Sequence, residues 1–313
     1  MAGERRNSDV GEFKFGLVHA PLTPFAGDRI DFDIYGKVID FHLRNGAEGL
    51  ALPMHAGESV SLTVEERKTL AEFAIKAVAG RVPVIVNVSE AGTALASSLA
   101  AHARATGAAA LICSVPYYWT PPQSMLVAHF AAIGQAGALP FLVVNSPAEF
   151  SDVEFASKSV VELLEKLPNF VGLIDMSLDW QYMIEVVTVA RKARPDFQLV
   201  SGNEFMISAG AIGATGMLAP LAAVSPKLIR ELYDLCRAEN YAAARVPQED
   251  AAILFSMFRD SGPAGLKAAG KAMGRDCGVP REPLPEMSRA AASALAAQIA
   301  SVASMKTEPR GWT

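Results

Sequence analysis

The chain has 313 residues, a formal net charge of −5 at pH 7 and a sequence pI of about 5.6. Binding to nucleic acid requires clustered Lys and Arg, and no basic stripe occurs in this sequence, so we expect no nucleic-acid partner. Hydrophobic residues make up 51% of the chain, but Gly, Pro or charged residues interrupt every apolar run before the ~20 residues of a membrane span. The composition therefore favours a small molecule as the partner and argues against a membrane.

Cysteine usage and the two ends of the chain indicate a cytoplasmic protein. The three cysteines, Cys113, Cys236 and Cys277, are widely spaced and form no C-x-x-C motif, which is typical of reduced thiols. Residues 1–12 are charged and lack the apolar segment of a signal peptide, so we predict a flexible N-terminal arm. Residues 306–313 are predicted to form a flexible tail.

Apolar runs that resemble buried strands divide the chain at intervals of roughly thirty residues, the length of a βα unit. They start near Phe15, Gly49, Val82, Ala109, Pro140, Phe170, Phe197 and Thr215. A Gly-Ala pair precedes several of these runs, at residues 46–47, 107–108, 137–138 and 213–214. At each pair, we expect the glycine to end the preceding helix in a left-handed conformation.

Helical patterns lie between most of the predicted strands. Thr63-Val64-Glu65-Glu66 is a capping box. Similar helix starts occur at Asp31 or Asp33, Gly92-Thr93, Pro121-Pro122, Ser151-Asp152 and Ser225-Pro226. After the eighth strand, three further helical segments are predicted, over residues 225–239, 241–258 and 265–305.

This alternation predicts an α/β protein with a (β/α)8 TIM barrel and a C-terminal helical extension. Residues 13–223 are assigned to the barrel strands and helices, and residues 224–305 to the last barrel helix and the C-terminal helices. A doubly wound open sheet is the alternative, but it would not usually need eight βα units.

The functional residues of such a barrel lie at the carboxyl ends of its strands. These ends are rich in carboxylates and hydroxyls, and they contain one histidine but no lysine or arginine. The polar candidates are His55, Glu58, Asn145, Glu149, Asp175, Ser201, Asn203 and Glu204.

At these strand ends, the chain resembles the dihydrodipicolinate synthase / N-acetylneuraminate lyase family of pyruvate-dependent aldolases. The matching segments are Ala20-Pro21-Leu22-Thr23-Pro24-Phe25, Gly57-Glu58-Ser59, Pro116-Tyr117-Tyr118, Asn145-Ser146-Pro147, Val171-Gly172-Leu173 and Ser201-Gly202-Asn203-Glu204. The resemblance covers about residues 13–300. It implies a (β/α)8 barrel with a C-terminal helical region, assembled as a homo-oligomer, either a dimer or a tetramer.

The family's mechanism, as the resemblance implies it, is covalent. A lysine ending the sixth strand forms a Schiff base with pyruvate, a tyrosine ending the fifth strand transfers a proton, and two hydroxy residues after the second strand bind the pyruvate carboxylate. Here the lysine position matches Ile174 and the tyrosine position matches Val144. The paired hydroxy residues match His55 and Ala56, and an arginine that holds the second substrate in the synthases matches Glu149.

These replacements predict that the usual mechanism is absent. A hydrocarbon side chain at Ile174 cannot act as the amine nucleophile that covalent catalysis requires. A carboxylate at Glu149 in place of an arginine reverses an interaction worth about 4 kcal/mol at ~4 Å and an effective dielectric constant of ~20. Tyr118 matches the tyrosine that the family's synthases supply from a neighbouring subunit.

Three hypotheses about function follow. The first is a family member that acts on or binds a small 2-oxo acid or a related carbonyl compound, and it leaves open whether the protein is an enzyme. The second is a non-catalytic barrel that binds a small molecule. The third is a non-covalent or metal-assisted lyase that uses His55 and Asp175.

The candidate residues have structural alternatives. Tyr118, His55 and Asp175 are the catalytic candidates, but Tyr118 also suits an interface and His55 a structural hydrogen bond. Asp175 could instead cap the following helix or accept hydrogen bonds from backbone donors. The candidates for substrate binding are His55, Ala56, Asn145, Glu149, Ser201 and Asn203. His55, Glu58, Glu149, Asp175 and Glu204 together suit a divalent cation, but no diagnostic metal-binding spacing occurs, so we predict neither a metal nor a cofactor.

Overall fold

The computed structural model describes residues 13–117, 119–149 and 152–312. Eight parallel strands form a closed barrel in which each strand pairs with the next along the chain and β10 pairs with β1. They are β1 (Leu17–His19), β4 (Gly49–Leu52), β5 (Val84–Asn87), β6 (Ala110–Ser114), β7 (Phe141–Asn145), β8 (Phe170–Asp175), β9 (Gln198–Ser201) and β10 (Gly216–Ala219). The predicted TIM barrel is confirmed, with its strands where the apolar runs predict them.

A short antiparallel hairpin, β2 (Phe25–Ala26) and β3 (Arg29–Ile30), follows the first barrel strand. Eight helices then surround the barrel: α1 (Phe32–Arg44), α2 (Val64–Val78), α3 (Thr93–Thr106), α4 (Gln123–Gly137), α5 (Ser157–Lys166), α6 (Trp180–Ala193), α7 (Met206–Ile212) and α8 (Pro226–Arg237). Every residue of the barrel strands is buried, because one face fills the interior and the other packs under these helices.

Helix caps show how well local sequence positions these helices. Thr63 Oγ1 accepts a hydrogen bond from Glu66 N, and Glu66 Oε2 accepts one from Thr63 N, so the predicted capping box is present at α2. The helix predicted from residues 151–152 instead begins at Ser157. Phe155 N donates to Asn145 Oδ1, and this bond holds the chain extended just before the helix. Ser151 itself lies outside the described residues.

The prediction that the glycine of each Gly-Ala pair is left-handed is confirmed at three of the four pairs. Left-handed φ angles occur at Gly46, Gly107 and Gly213. At the remaining pair, Ala138 takes the left-handed conformation and Gly137 stays in α4. A Cβ atom on Gly137 would overlap Leu111 Cδ1 on β6, so this glycine is needed for close packing between helix and strand.

The C-terminal extension consists of α9 (Tyr241–Arg259), α10 (Gly262–Ala272) and α11 (Arg289–Ser301). The single helical segment predicted over residues 265–305 is therefore wrong, since residues 273–288 form no helix. This stretch contains three prolines, which interrupt helical hydrogen bonding, and two glycines with positive φ angles. No helix in the described parts of the chain combines the length and apolar composition needed to cross a membrane.

The sequence predicts a flexible tail, but its described residues, 306–312, are held against the barrel. The buried Glu308 carboxylate accepts hydrogen bonds from Lys227 N at 3.1 Å and Leu228 N at 2.7 Å, at the start of α8. Arg44 Nη2 donates to Trp312 O. These contacts correct the expectation for residues 306–312, while the predicted arm, residues 1–12, lies outside the described residues.

Candidate functional site

A cavity of about 870 Å³ lies at the carboxyl end of the barrel, between the strand ends and the helices α9 and α10. Its polar lining comprises His55, Ser59, Thr63, Arg67, Asn87, Ser89, Glu90, Ser114, Tyr117, Glu149, Asn203, Glu204 and Arg259. Its larger apolar residues include Met54, Leu62, Val144, Met176, Leu218, Leu221, Phe255, Phe258 and Leu266. The position at the strand ends is the one that the barrel fold predicts for a functional site.

Hydrocarbon side chains occupy the strand ends that the resemblance assigns to the lysine and the tyrosine. Ile174 pairs in register with Val144 on one side and with Val200 on the other. Val144 lines the cavity, whereas Ile174 is fully buried behind its surface. Among the described residues no lysine lines the cavity, so its wall offers no amine for a Schiff base.

The turn after β4 brings His55 and Ala56 to the cavity. Both belong to a short 3-10 helix, His55–Gly57, and His55 is exposed while Ala56 is buried. The turn needs a glycine at its end, because a Cβ atom on Gly57 would lie 2.9 Å from Pro21 O. Thr23 Oγ1 also donates to Gly57 O at 2.7 Å. The segment after the first barrel strand and the turn after the second, both of which carry the resemblance, are therefore packed and hydrogen-bonded together.

Asp175 closes a turn instead of facing the cavity. Its carboxylate accepts hydrogen bonds from Asn145 Nδ2 at 2.7 Å and Ser177 Oγ at 2.8 Å. Burial raises the pKa of Asp175 to about 6, although these hydrogen bonds oppose the shift. Neither Asp175 nor Asn145 lines the cavity. The helix-cap alternative for Asp175 is wrong, because Asp179 caps α6 by accepting a hydrogen bond from Tyr182 N. Asp175 instead accepts donors from Asn145 and Ser177.

The structure also separates His55 from Asp175. His55 follows β4 and Asp175 ends β8, and three strands lie between β4 and β8 in either direction around the ring. His55 lines the cavity but Asp175 does not. In the parts of the chain that are described, no group of three or more His, Cys, Asp or Glu side chains is arranged to hold a metal ion.

The remaining predicted binding residues divide between the cavity and the surrounding core. Asn203 lines the cavity, and its Oδ1 accepts a hydrogen bond from Phe205 N at 3.2 Å. Ser201 lies outside the lining and donates through Oγ to Asn203 O. Glu149 lines the cavity from an exposed 3-10 turn. Tyr118 lies outside the described residues.

Glu204 is a cavity residue that the sequence does not identify as a catalytic or substrate-binding candidate. It lines the cavity with a side chain that is only 2% exposed, and its Oε1 accepts a hydrogen bond from Leu221 N at 2.8 Å. Burial raises the pKa of Glu204 to about 7. Glu204 belongs to the Ser201-Gly202-Asn203-Glu204 segment that carries the resemblance, but the sequence alone predicts a role for it only within a possible metal-binding set.

The sequence also gives no signal for a partly buried ion pair on the opposite wall, because Arg67 lies on α2 and not at a strand end. Arg67 Nη1 lies 2.6 Å from Glu90 Oε1, and Arg67 Nη2 donates to Asn87 O at 2.8 Å. Tyr117 Oη donates to the other oxygen of Glu90 at 3.2 Å. The arginine charge is thereby compensated within the protein.

Comparison with known proteins extends over most of the chain. Residues 14–302 match the profile of the Dihydrodipicolinate synthetase family. A 4-hydroxy-tetrahydrodipicolinate synthase from Roseobacter denitrificans is 34% identical over 256 residues, which cover 81% of this chain and 86% of that protein. The Rhizobium meliloti protein of the same name is 33% identical over 273 residues, covering 86% and 91%.

The fold comparison agrees with the sequence comparison. The crystal structure of dihydrodipicolinate synthase from Aquifex aeolicus superimposes with a TM-score of 0.85 at 29% identity. The superposition covers 90% of this chain and 96% of the Aquifex chain. Both the barrel and the C-terminal helices are therefore shared with that protein.

Proposed function

The chain belongs to the dihydrodipicolinate synthetase family, and we propose that it binds a small carbonyl compound non-covalently at the barrel mouth. Membership of this family supports a pyruvate-dependent, aldolase-like lyase as the general class of activity to which the protein is related. The proposed ligand is a 2-oxo acid or a related carbonyl compound. The protein is proposed to be a binding barrel that no longer uses the Schiff-base route.

The observation that carries this proposal is the pair of hydrocarbon side chains at two neighbouring strand ends, Val144 in the cavity wall and Ile174 buried beside it in register. Covalent catalysis by the family's route needs an amine at the first position, and isoleucine has none. Lys267 is a buried lysine that could be considered as an alternative nucleophile, but its Nζ lies 2.6 Å from Glu58 Oε1. An ammonium held by a buried carboxylate is a poor nucleophile because only the neutral amine attacks a carbonyl.

A retained cavity supports ligand binding even without that nucleophile. The space is concave, largely apolar and fitted with a few polar groups, which is the usual character of a small-molecule site. His55, Ala56, Glu149 and Asn203, four of the six residues proposed to bind the ligand, line it. The structure gives less support to a metal-assisted lyase, since Asp175 is held by Asn145 and Ser177.

Borohydride trapping tests the non-covalent part of the proposal. The protein is incubated with pyruvate and sodium borohydride, and its intact mass is measured. We expect no pyruvyl adduct, whereas the Roseobacter denitrificans relative treated in parallel serves as the positive control. A stoichiometric adduct on any lysine, located by peptide mapping, would overturn the proposal.

A thermal-shift screen of carbonyl compounds tests the binding part. We expect at least one aldehyde, ketone or 2-oxo acid to raise the melting temperature, since a ligand that binds only the folded state stabilises it. The hit is then incubated with the protein for several hours and followed by NMR. Turnover of that compound would contradict a binding role and support an enzyme.

We also propose that the protein is cytoplasmic and forms a homo-oligomer, either a dimer or a tetramer. The resemblance supports the assembly, and it implies that Tyr118 reaches a neighbouring subunit's site. Cys113, Cys236 and Cys277 are free and buried, as suits a reducing compartment. Light scattering after size-exclusion chromatography measures the assembly, and a monomeric mass would remove this part of the proposal.

A further inference from the structure

The carboxyl group of Glu204 has an unusual environment for an acid in a binding cavity. Its side chain is buried in the cavity lining, and Leu221 N and its own amide are the donors to its carboxylate. No arginine or lysine forms an ion pair with it within the described ranges of the chain. A carboxylate that lacks a cation in such a place is costly, because burial removes its solvent.

Asn203, the preceding residue, is a second polar residue of the cavity lining. Its Oδ1 is engaged by Phe205 N. Its Nδ2 has no hydrogen-bond partner among the residues that the structure describes, although the residue lines the cavity. The turn after β9 thus places a residue with a carboxamide and a residue with a carboxyl group next to each other in the cavity lining.

The two arginines of the described cavity lining each have an acidic partner within the protein. The other titratable lining residues are His55, Arg67, Glu90, Tyr117, Glu149 and Arg259. Arg67 is paired with Glu90 at 2.6 Å. Arg259 is exposed at the rim, with its Nε 3.5 Å from Asp260 Oδ1. Neither arginine pairs with Glu204, so a carboxylate ligand would be desolvated beside an acid without compensation.

We propose that the cavity selects an uncharged carbonyl compound, an aldehyde or ketone, whose oxygen accepts hydrogen bonds from the Glu204 carboxyl and the Asn203 amide. This inference rests on the proposed function and narrows its ligand to the neutral class. No covalent bond forms and no proton leaves Glu204. A protonated carboxyl is the only form of this group that can donate to a carbonyl oxygen.

The protonation of Glu204 makes the binding depend on pH. Burial raises the pKa of this carboxyl to about 7, so below that pH the group is mainly the neutral donor. Above it, an ionised carboxylate faces the lone pairs of the ligand oxygen. Affinity for a neutral carbonyl compound is therefore expected to fall as the pH rises through about 7.

Matched pairs of ligands test the inference. The probes are acetone with pyruvate, methyl isopropyl ketone with its 2-oxo acid, and benzylacetone with its 2-oxo acid, so that a carboxylate replaces one methyl group in each pair. Dissociation constants are measured by ligand-observed NMR. At about pH 6, we expect the tightest-binding ketone to bind at least about tenfold more tightly than its acid. Its affinity should drop by up to about a hundredfold at about pH 9.

Glu204→Gln provides the decisive variant because it keeps the shape and a permanent N–H donor. We expect ketone binding to this variant to be independent of pH. Glu249→Gln, the same substitution at an exposed position on α9, is the control and should keep the wild-type pH profile. Circular dichroism confirms that both variants are folded.

The outcomes separate this inference from the proposed function. Equal or tighter binding of the 2-oxo acids, or the same pH profile in Glu204→Gln as in wild type, would overturn the inference while leaving a carbonyl-binding barrel in place. Failure of every ketone and every acid to bind would overturn both. Tighter ketone binding that loses its pH dependence only in Glu204→Gln supports both.

Discussion

Lys267 Nζ lies 2.6 Å from Glu58 Oε1, and the two side chains are 2% and 0% exposed. The pair joins α10 to the turn that follows β4. Glu58 Oε2 also accepts a hydrogen bond from Arg281 N at 2.8 Å, and Lys267 Nζ donates to Val279 O at 3.1 Å. The C-terminal extension is thereby fastened to the turn that carries His55.

Lys267→Met should strongly destabilise the protein, because it leaves the Glu58 carboxylate buried without its cation. Removing one partner of such a pair typically costs ~3–5 kcal/mol. The double variant Glu58→Gln with Lys267→Met should recover a large part of that loss. Urea unfolding of the four proteins in the cycle measures the coupling. A cost below about 1 kcal/mol for Lys267→Met would show that the pair is solvated.

Asp175→Asn should change how stability depends on pH without weakening ligand binding. The folded-state pKa of Asp175 is raised to about 6, above the ~3.9 of an unfolded chain. The folded wild type therefore binds more protons between these values and loses stability as the pH rises through them. Relative to wild type, the variant should gain about 1.4 kcal/mol per pH unit in this window.

Urea unfolding of both proteins at several pH values measures that difference. Asn145→Asp is unsuitable as a control because it adds a charge beside Asp175, so the exposed Asp196→Asn serves instead. Weaker ligand binding by Asp175→Asn, with Asp196→Asn unchanged, would contradict the structural role and return Asp175 to the candidate ligand-binding residues.

The buried histidines His19 and His42 should make the protein sensitive to acid. Their Nδ1 atoms lie 3.0 Å apart. Burial, with a smaller contribution from the Arg275 charge, lowers the pKa of His42 to about 3. An unfolded histidine protonates near pH ~6.5, so the unfolded state binds more protons below that pH and stability falls.

His42→Gln should therefore gain on wild type by about 1.4 kcal/mol per pH unit as the pH drops below ~6.5. Thermal or urea unfolding at neutral and mildly acidic pH measures the gap between the two proteins. His102→Gln is the matched control, since His102 is only partly buried and pairs with Glu72 at 2.8 Å. An equal gap for both variants would show that the His19–His42 pair is not the source.

Glu308→Ala should release the tail and weaken the start of α8. The carboxylate caps the first amides of that helix, those of Lys227 and Leu228. Loss of such a cap typically costs ~1–2 kcal/mol. Urea unfolding measures the change, and limited proteolysis shows whether the tail becomes accessible. Glu286→Ala, in the exposed segment before α11, should have little effect.

Several local features could be predicted because they depend on neighbouring residues alone. The Thr63–Glu66 capping box is an example, since both of its hydrogen bonds are made within one turn. The docked tail is the opposite case. Glu308 reaches the start of α8 across about eighty residues of chain, and no local pattern specifies such a contact.

The candidate site shows the same division. Strand ends could be predicted, because parallel strands place their carboxyl ends on one face of the barrel. Which side chains turn into the cavity could not, because this depends on hydrogen bonds between neighbouring turns. Asn145 donates a hydrogen bond to Asp175, and neither residue lines the cavity. Glu204 does line the cavity, and its carboxylate accepts hydrogen bonds from backbone donors.

The amino-acid sequence by itself therefore determined the barrel and its family, and the resemblance assigns Ile174 to the position of the family's lysine. Hydrophobic periodicity and residue identity carry that information directly. The tertiary structure decided the electrostatics of the cavity, where Arg67 is neutralised by Glu90 and Glu204 has no cation beside it. The ionisation of a carboxyl depends on its burial and on nearby charges from other elements, and only the folded chain brings these together.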